Sequence, residues 1–123
     1  MALHEETAVL EGPATWLELD RAALLHNLAG VRALVGPAQI MAILKANAYG
    51  AGATGMARVL AEAGVTLFGV ASVAEGVELR QAGISDTILC LTYFTRDEVD
   101  PILEHSLTAS LFTLEAGQLL DHH

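Results

Sequence analysis

Four short, almost uncharged apolar runs recur along this chain, at about residues 39–46, 67–71, 87–93 and 107–112, and a stretch with helical character comes after each. A strand apolar on both faces is a strand covered on both faces, and helices between such strands bring them together in parallel. This repeat predicts an α/β fold of strand–helix units around a parallel sheet. From Gln39 there are four units in sequence. A closed eight-stranded barrel of such units takes about 250 residues, so four units correspond to about the first half of a (β/α)₈ TIM barrel, or to an open parallel sheet. The chain stops at Asp121-His122-His123, where another strand is due, and this reads as the end of a fragment.

The helices carry their own signals. Asp20 is placed to cap a helix in which Leu24, Leu28, Val31 and Val35 face inward, and Gly36-Pro37 ends it. Before it, Thr15 to Leu19 alternates like a strand. A second helix is predicted over about 54–63, with Met56, Val59, Leu60 and Ala63 inward and Gly64 as its stop. Ser72-Val73-Ala74-Glu75 has the pattern of a capping box, opening a helix that runs to Gly83. Thr95-Arg96-Asp97-Glu98 is a second box; Asp100 and Pro101 suggest a restart there, with Asp100 as cap. A last helix begins at about Thr113.

Composition narrows the classes of partner. An apolar content of 53% with 17% charged residues excludes a disordered chain. The net charge of −9 argues against nucleic acid and anionic membranes. No apolar run reaches the ~20 residues of a membrane helix. Residues 1–14 carry Glu5, Glu6 and Glu11 with no basic leader, and are expected to be a flexible segment without signal-peptide character, in a cytoplasmic protein. Cys90 is the only cysteine and falls in an apolar run, as a structural thiol does. The five histidines share no spacing that suggests a metal site.

Lys45 is the only lysine; every other cation is arginine. It closes the apolar run Gln39 to Leu44 and opens the glycine-bearing turn Ala46-Asn47-Ala48-Tyr49-Gly50-Ala51-Gly52. A free lysine amine, with a pKa of about 10.4, is a poor nucleophile until burial disfavours its charge. At the mouth of an apolar strand such an amine can condense with a carbonyl, the aldehyde of pyridoxal phosphate being the obvious one. Tyr49 lies four residues on, with a hydroxyl suited to a phosphate oxygen, and Gly50 and Gly52 permit positive φ. The alternative is a lysine that snorkels to solvent and pairs with a carboxylate.

The run Met41-Ala42-Ile43-Leu44-Lys45-Ala46-Asn47-Ala48-Tyr49-Gly50-Ala51-Gly52 resembles the cofactor-lysine signature of bacterial alanine racemases. Thr15 to Asp20 leading into Leu24 to Leu28 is similar to that family's opening segment. The stretches Val59 to Gly64, Phe68 to Glu75 and Leu79 to Ile84 are similar to the family's segments beyond the signature, so the resemblance runs from about Trp16 to the C-terminus. It implies a partial barrel domain over 15–123, from a protein that binds pyridoxal 5′-phosphate in a (β/α)₈ barrel and is completed by a C-terminal β domain in a homodimer. It implies an alanine racemase, a cytoplasmic isomerase that makes D-alanine for peptidoglycan. Lys45 is then both the aldimine-forming, cofactor-binding residue and a catalytic base, and Tyr49 contacts the cofactor phosphate. Gly69 and Gly76 are expected to allow close helix–sheet packing. Ala51 stands where family members commonly have histidine. The second base, a tyrosine of the partner subunit, the arginine at the pyridine nitrogen and most phosphate contacts are not supplied by these 123 residues, so the fragment alone is expected to be inactive. The rival readings are a non-catalytic pyridoxal-phosphate-binding protein of related barrel fold, which the Asn47-Ala48-Tyr49-Gly50 extension speaks against, and a ligand-free half-barrel scaffold.

Overall fold

A computed structural model describes residues 15–122. The segment 1–14, expected to be flexible, lies outside the described residues, as do His4 and His123. Helix α1 spans Arg21–Val35 and strand β1 Met41–Ile43, succeeded by a turn at Lys45–Tyr49. Next come α2 (Ala53–Glu62), β2 (Leu67–Val70), α3 (Val73–Gln81), β3 (Thr87–Cys90), a 3-10 turn at Arg96–Glu98, α4 (Val99–Glu104), β4 (Thr108–Ala109) and α5 (Leu114–Asp121). The four strands are parallel and lie in the order β1-β2-β3-β4, each joined to the next through a helix. The predicted α/β architecture of strand–helix units is the one observed.

The strands are shorter than the apolar runs that mark them. Beyond Ile43, Val70, Cys90 and Ala109 the chain leaves the ladder to form loops at the C-terminal end of the sheet, so apolarity outlasts pairing. Residues 15–20 form no strand and are exposed.

Pairing sets the two faces. Met41, Ala42 and Ile43 stand opposite Leu67, Phe68 and Gly69, which stand opposite Thr87, Ile88 and Leu89. Phe68, Val70, Ile88 and Cys90 point to the helices and join Ala57, Leu60, Leu79, Val99 and Ile102 in the core. Burying side chains of the size of Phe68, Ile88 and Leu79 contributes about 1.5–3 kcal/mol each, and these three are almost wholly enclosed. Gly76 of α3 sits where a Cβ would meet Leu107 at 3.0 Å and the Cys90 sulfur at 3.5 Å, which is the close helix–sheet approach expected of it. Gly69 differs from expectation. Its missing side chain is overlain by Ile43, Met41 and Leu91, so it serves the sheet face away from the helices.

Helix starts agree closely with their signals. Asp20 accepts from Ala23 N–H at 3.0 Å, Ser72 Oγ from Glu75 N–H at 3.3 Å and Thr113 Oγ1 from Ala116 N–H at 3.1 Å. At the second box, Glu98 Oε2 accepts from Thr95 N–H at 2.8 Å. Glu98, and not Asp100, then precedes α4, which places Asp100 and Pro101 together in its first turn, where proline's missing N–H costs nothing. Val31 and Val35, expected to face inward, are exposed, since α1 meets the core through Leu24 and Leu28 alone.

Three arginines share one task. Arg32 of α1 donates to the Ala63 carbonyl at 2.8 Å, Arg58 of α2 to the Ala82 carbonyl at 3.0 Å, and Arg80 of α3 to the His105 carbonyl at 2.8 Å. Ala63, Ala82 and His105 are the residues that cap the C-termini of α2, α3 and α4. Each of these three helices thus sends a guanidinium to the C-terminus of the next, where unpaired carbonyls and the helix dipole favour positive charge. Arg80 also takes the carbonyls of Ile84, Asp86 and Ser106, at 2.6 to 3.0 Å.

Candidate active site

Lys45 lies two positions past the last residue of β1, at the C-terminal end of the sheet. Leu44 before it is buried, 2% exposed, and donates its N–H to the Gly69 carbonyl of β2 at 2.7 Å. Lys45 itself is exposed and, among the described residues, its side chain makes no hydrogen bond or ion pair. Neither sequence expectation holds entire: the described residues around the amine do not bury it, and none of their carboxylates pairs with it. The one ion pair among the described residues joins Arg21 and Glu62, at 2.8 Å.

The turn after Lys45 has the opposite hand to every other helix among the described residues. Ala46, Asn47 and Ala48 lie at φ 52 to 53° and ψ 47 to 49°, and Tyr49 at φ 56°. The i→i+4 bonds Ala48 N–H to Leu44 O (2.8 Å) and Gly50 N–H to Ala46 O (3.0 Å) close it. Left-handed helix costs about 1–2 kcal/mol per non-glycine residue, so four in a row demand outside support. Gly50 continues the positive run at φ 88°, and Gly52, beyond Ala51, lies at φ 95°, both at no steric cost, as their type predicts.

The support is specific. Asn47 Oδ1 accepts the Ala53 N–H at 2.8 Å and so ties the turn to the first residue of α2. Gly52 N–H reaches back to Asn47 O at 2.9 Å. Ala48 is buried, and Ala51, where the resemblance expects histidine, packs half-buried against the core. Glu75 Oε1 accepts the Ala46 N–H at 2.8 Å while its Oε2 accepts the Ala71 N–H at 2.7 Å. Sequence reasoning assigned Glu75 to a capping box and missed this second contact, which crosses 29 positions. Of the four residues in the left-handed run, only Asn47, of a type enriched at positive φ, gave a local sign of it.

Tyr49 shares the turn with Lys45 and is 70% exposed, so its hydroxyl is open to a ligand. On the sheet face away from the helices, Met41, Ile43 and Leu91 cover Gly69 and form apolar surface next to the turn. Tyr93, beyond the end of β3, is exposed as well. Cys90 is buried at 2% exposure, its thiol donating to the Ser72 carbonyl at 3.8 Å. Burial first, then the carboxylates of Glu98 and Glu75, push that thiol up to about 11, which keeps it protonated and unreactive. A cleft of about 630 Å³ lies at the other end of the sheet, lined by Arg80, Ile84, Ser85, His105 and Ser106. Its one guanidinium is engaged by four backbone carbonyls, which marks the cleft as structural.

Among curated proteins, the chain is 43% identical over 104 residues to an alanine racemase of Desulforamulus reducens, a match over 84% of this chain and 28% of that protein. The solved structure of alanine racemase from Clostridium difficile 630 in complex with cycloserine superposes with a TM-score of 0.87 at 33% identity, over 90% of this chain and 30% of that one. A histidine racemase from Leuconostoc mesenteroides is similar too, with a TM-score of 0.77 and 30% identity over 83% of this chain and 27% of that one. The four strand–helix units thus match part of the barrel in which these enzymes begin, and the chain spans about three-tenths of the length of such relatives. Residues 19–123 match the family model described as the alanine racemase N-terminal domain, and by that match the chain belongs to the alanine racemase family.

Proposed function

We propose that this chain carries the cofactor lysine of an alanine racemase, an isomerase that interconverts L- and D-alanine with pyridoxal 5′-phosphate. The observation that carries the reading is the situation of Lys45. The chain's one lysine stands at the C-terminal end of a parallel strand, exposed and unengaged among the described residues. Chemistry in barrels of this kind sits at that end of the strands.

The donor set fits pyridoxal phosphate. Lys45 offers a primary amine to its aldehyde, and Tyr49, in the same turn, offers a phenolic hydroxyl to its phosphate. Met41, Ile43 and Leu91 offer apolar surface to a ring. When bound, the group supplies a conjugated system that withdraws electron density as a substrate's α-proton leaves. Lys45 Nζ holds or returns that proton on one face. Inverting the hand takes a second base on the opposite face, which the resemblance assigns to a tyrosine of a C-terminal domain in the partner subunit. The working enzyme is therefore proposed to be a cytoplasmic homodimer that supplies D-alanine, with residues 15–123 as part of its barrel domain.

Alanine as substrate rests on the names of the relatives. A histidine racemase shares this segment's fold, so the fold of the segment alone does not select the side chain. The exposure of Lys45 and Tyr49 favours a second reading for the 123-residue chain by itself, that it binds the cofactor without turnover.

Incubation with pyridoxal phosphate, borohydride fixation and peptide mapping test the reading. A pyridoxyl label on Lys45 is expected. A label confined to the N-terminal amine overturns it. Formation of D-alanine from L-alanine, by this chain and by the whole protein, then separates binder from enzyme.

A further inference from the structure

Glu75 does two jobs with two oxygens. Oε2 faces its own helix start, taking the N–H groups of Ala71 at 2.7 Å and Ser72 at 3.3 Å, while Ser72 Oγ takes the Glu75 N–H at 3.3 Å. That is a capping box, and glutamine closes one as well as glutamate does. Oε1 is not needed for capping. It turns away from α3 and accepts the Ala46 N–H at 2.8 Å. Ala46 is the residue after the lysine and the first of the left-handed run.

Lys45 is therefore flanked by two anchored amides. Leu44 N–H is fixed to the Gly69 carbonyl of β2 at 2.7 Å, and Ala46 N–H to Glu75. The first anchor belongs to the sheet. The second is the only side-chain hydrogen bond between α3 and the turn among the described residues. An ionised carboxylate has acceptors on both oxygens; an amide must present its NH₂ to one of the two N–H groups. The geometry demands Glu, where the capping box alone does not.

We propose that Glu75 is the positioning residue for Lys45, its second carboxylate oxygen holding the left-handed turn that presents the amine. The chemical consequence rests on the reading of Lys45 given above; the structural claim does not.

In Glu75→Gln the one remaining acceptor oxygen serves the two N–H groups of Ala71 and Ser72 in preference to the one of Ala46, so the capping box stays and the brace is lost, and Ser72→Ala does the reverse. In Glu75→Gln, amide hydrogen exchange at Ala46 and Ala48 is expected to quicken roughly tenfold, the loss of about one hydrogen bond, with α3 unchanged. Labelling of Lys45 by pyridoxal phosphate and borohydride is expected to slow. Ser72→Ala should speed exchange at the Glu75 amide and leave Ala46 and the labelling rate as they were. In the unmutated chain, a scalar coupling across the hydrogen bond between the Ala46 amide nitrogen and the Glu75 carboxyl carbon is expected, and this decides the matter if Glu75→Gln does not fold.

An absent coupling overturns the proposal. So does a Glu75→Gln chain with unaltered Ala46 exchange, or one with a loosened turn and an unaltered labelling rate. Equal loss of Ala46 protection in both variants overturns it too, because the turn would then merely track the helix. Should the unmutated chain take no label at Lys45, the cofactor reading falls, and the coupling and exchange results still decide whether Glu75 holds the turn.

Discussion

The two ends of the sheet are built on opposite terms. At the N-terminal ends of the strands, Arg32, Arg58 and Arg80 each cap the next helix, and every such contact relieves an unpaired carbonyl. At the C-terminal ends, four consecutive non-glycine residues at positive φ come after a lysine whose amine bonds to nothing described. One end relieves unsatisfied groups and the other holds strain. Strain persists only where its surroundings over-determine it, and it gathers where a group must be shown in one orientation. The division matches the barrel rule that stability belongs to one end and chemistry to the other.

The comparison breaks most readily at Arg80. Arg80→Met keeps the aliphatic stem and deletes donors to four carbonyls. Charged hydrogen bonds contribute about 1.5–3 kcal/mol each, but four from one partly exposed group do not add, so a loss of ~3 kcal/mol is expected. Arg58→Met, with one carbonyl at stake, should cost ~1 kcal/mol. Urea unfolding midpoints measure both. Equal losses at the two positions would show that the N-terminal end is not held as described.

Next in size is a pH effect from the core between the ends. The Cys90 thiol is raised from 9.0 to about 11, so the folded chain keeps a proton that the unfolded chain releases. Its contribution is complete below about pH 9 and is lost as pH rises towards 11. At 1.36 kcal/mol per unit, the loss comes to ~2–3 kcal/mol. The stability difference between the unmutated chain and Cys90→Ala should stay level to about pH 8.5 and shrink above it. A level difference up to pH 11 would mean that the thiol is not sealed in the core.

The helix boundaries were largely legible in the sequence, though the contacts at the N-terminal end of the sheet were not. Ser72, Thr113 and Asp20 announced helix starts because a cap is local, a side chain meeting an amide two or three positions on. Gly36, Gly64 and Gly83 announced stops for the same reason, and all three have positive φ. The arginine relay was invisible because each contact spans 24 residues or more, and an arginine on a helix reads equally well as solvated charge. At the other end, Lys45 was legible by its rarity and the glycines by their type. The left-handed turn was not, since Ala46 and Ala48 favour right-handed helix and only tertiary bonds from Glu75 and Ala53 oppose them. The burial expected for Lys45 failed for a related reason. An apolar run shows that a strand is covered, and says nothing of what stands over the residue beyond its end.

A smaller effect tests the strain directly. Ala46→Gly removes the Cβ from the first positive-φ position and relieves about 1–2 kcal/mol, offset in part by the unfolded-state entropy of glycine. A net stabilisation of ~0.5–1 kcal/mol is expected. The same change at Ala61, within the right-handed α2, should instead destabilise by ~1 kcal/mol. Opposite signs from one substitution sharpen the contrast between the turn and an ordinary helix. Like signs would remove it.

The smallest effect on stability is expected at Lys45. The side chain is exposed, has no bonded partner among the described residues, and lies outside the core, so Lys45→Ala should shift stability by no more than ~0.5 kcal/mol. Pyridoxyl labelling of the turn should vanish in the same variant, since no other lysine exists to take it. A residue kept for the fold shows the reverse pattern, as Arg80 does, with large thermodynamic cost and no chemistry of its own. If Lys45→Ala unfolds at a clearly lower urea concentration, the amine is bound into the structure in a way its geometry does not reveal, and the assignment of chemistry to this end of the sheet loses its main support.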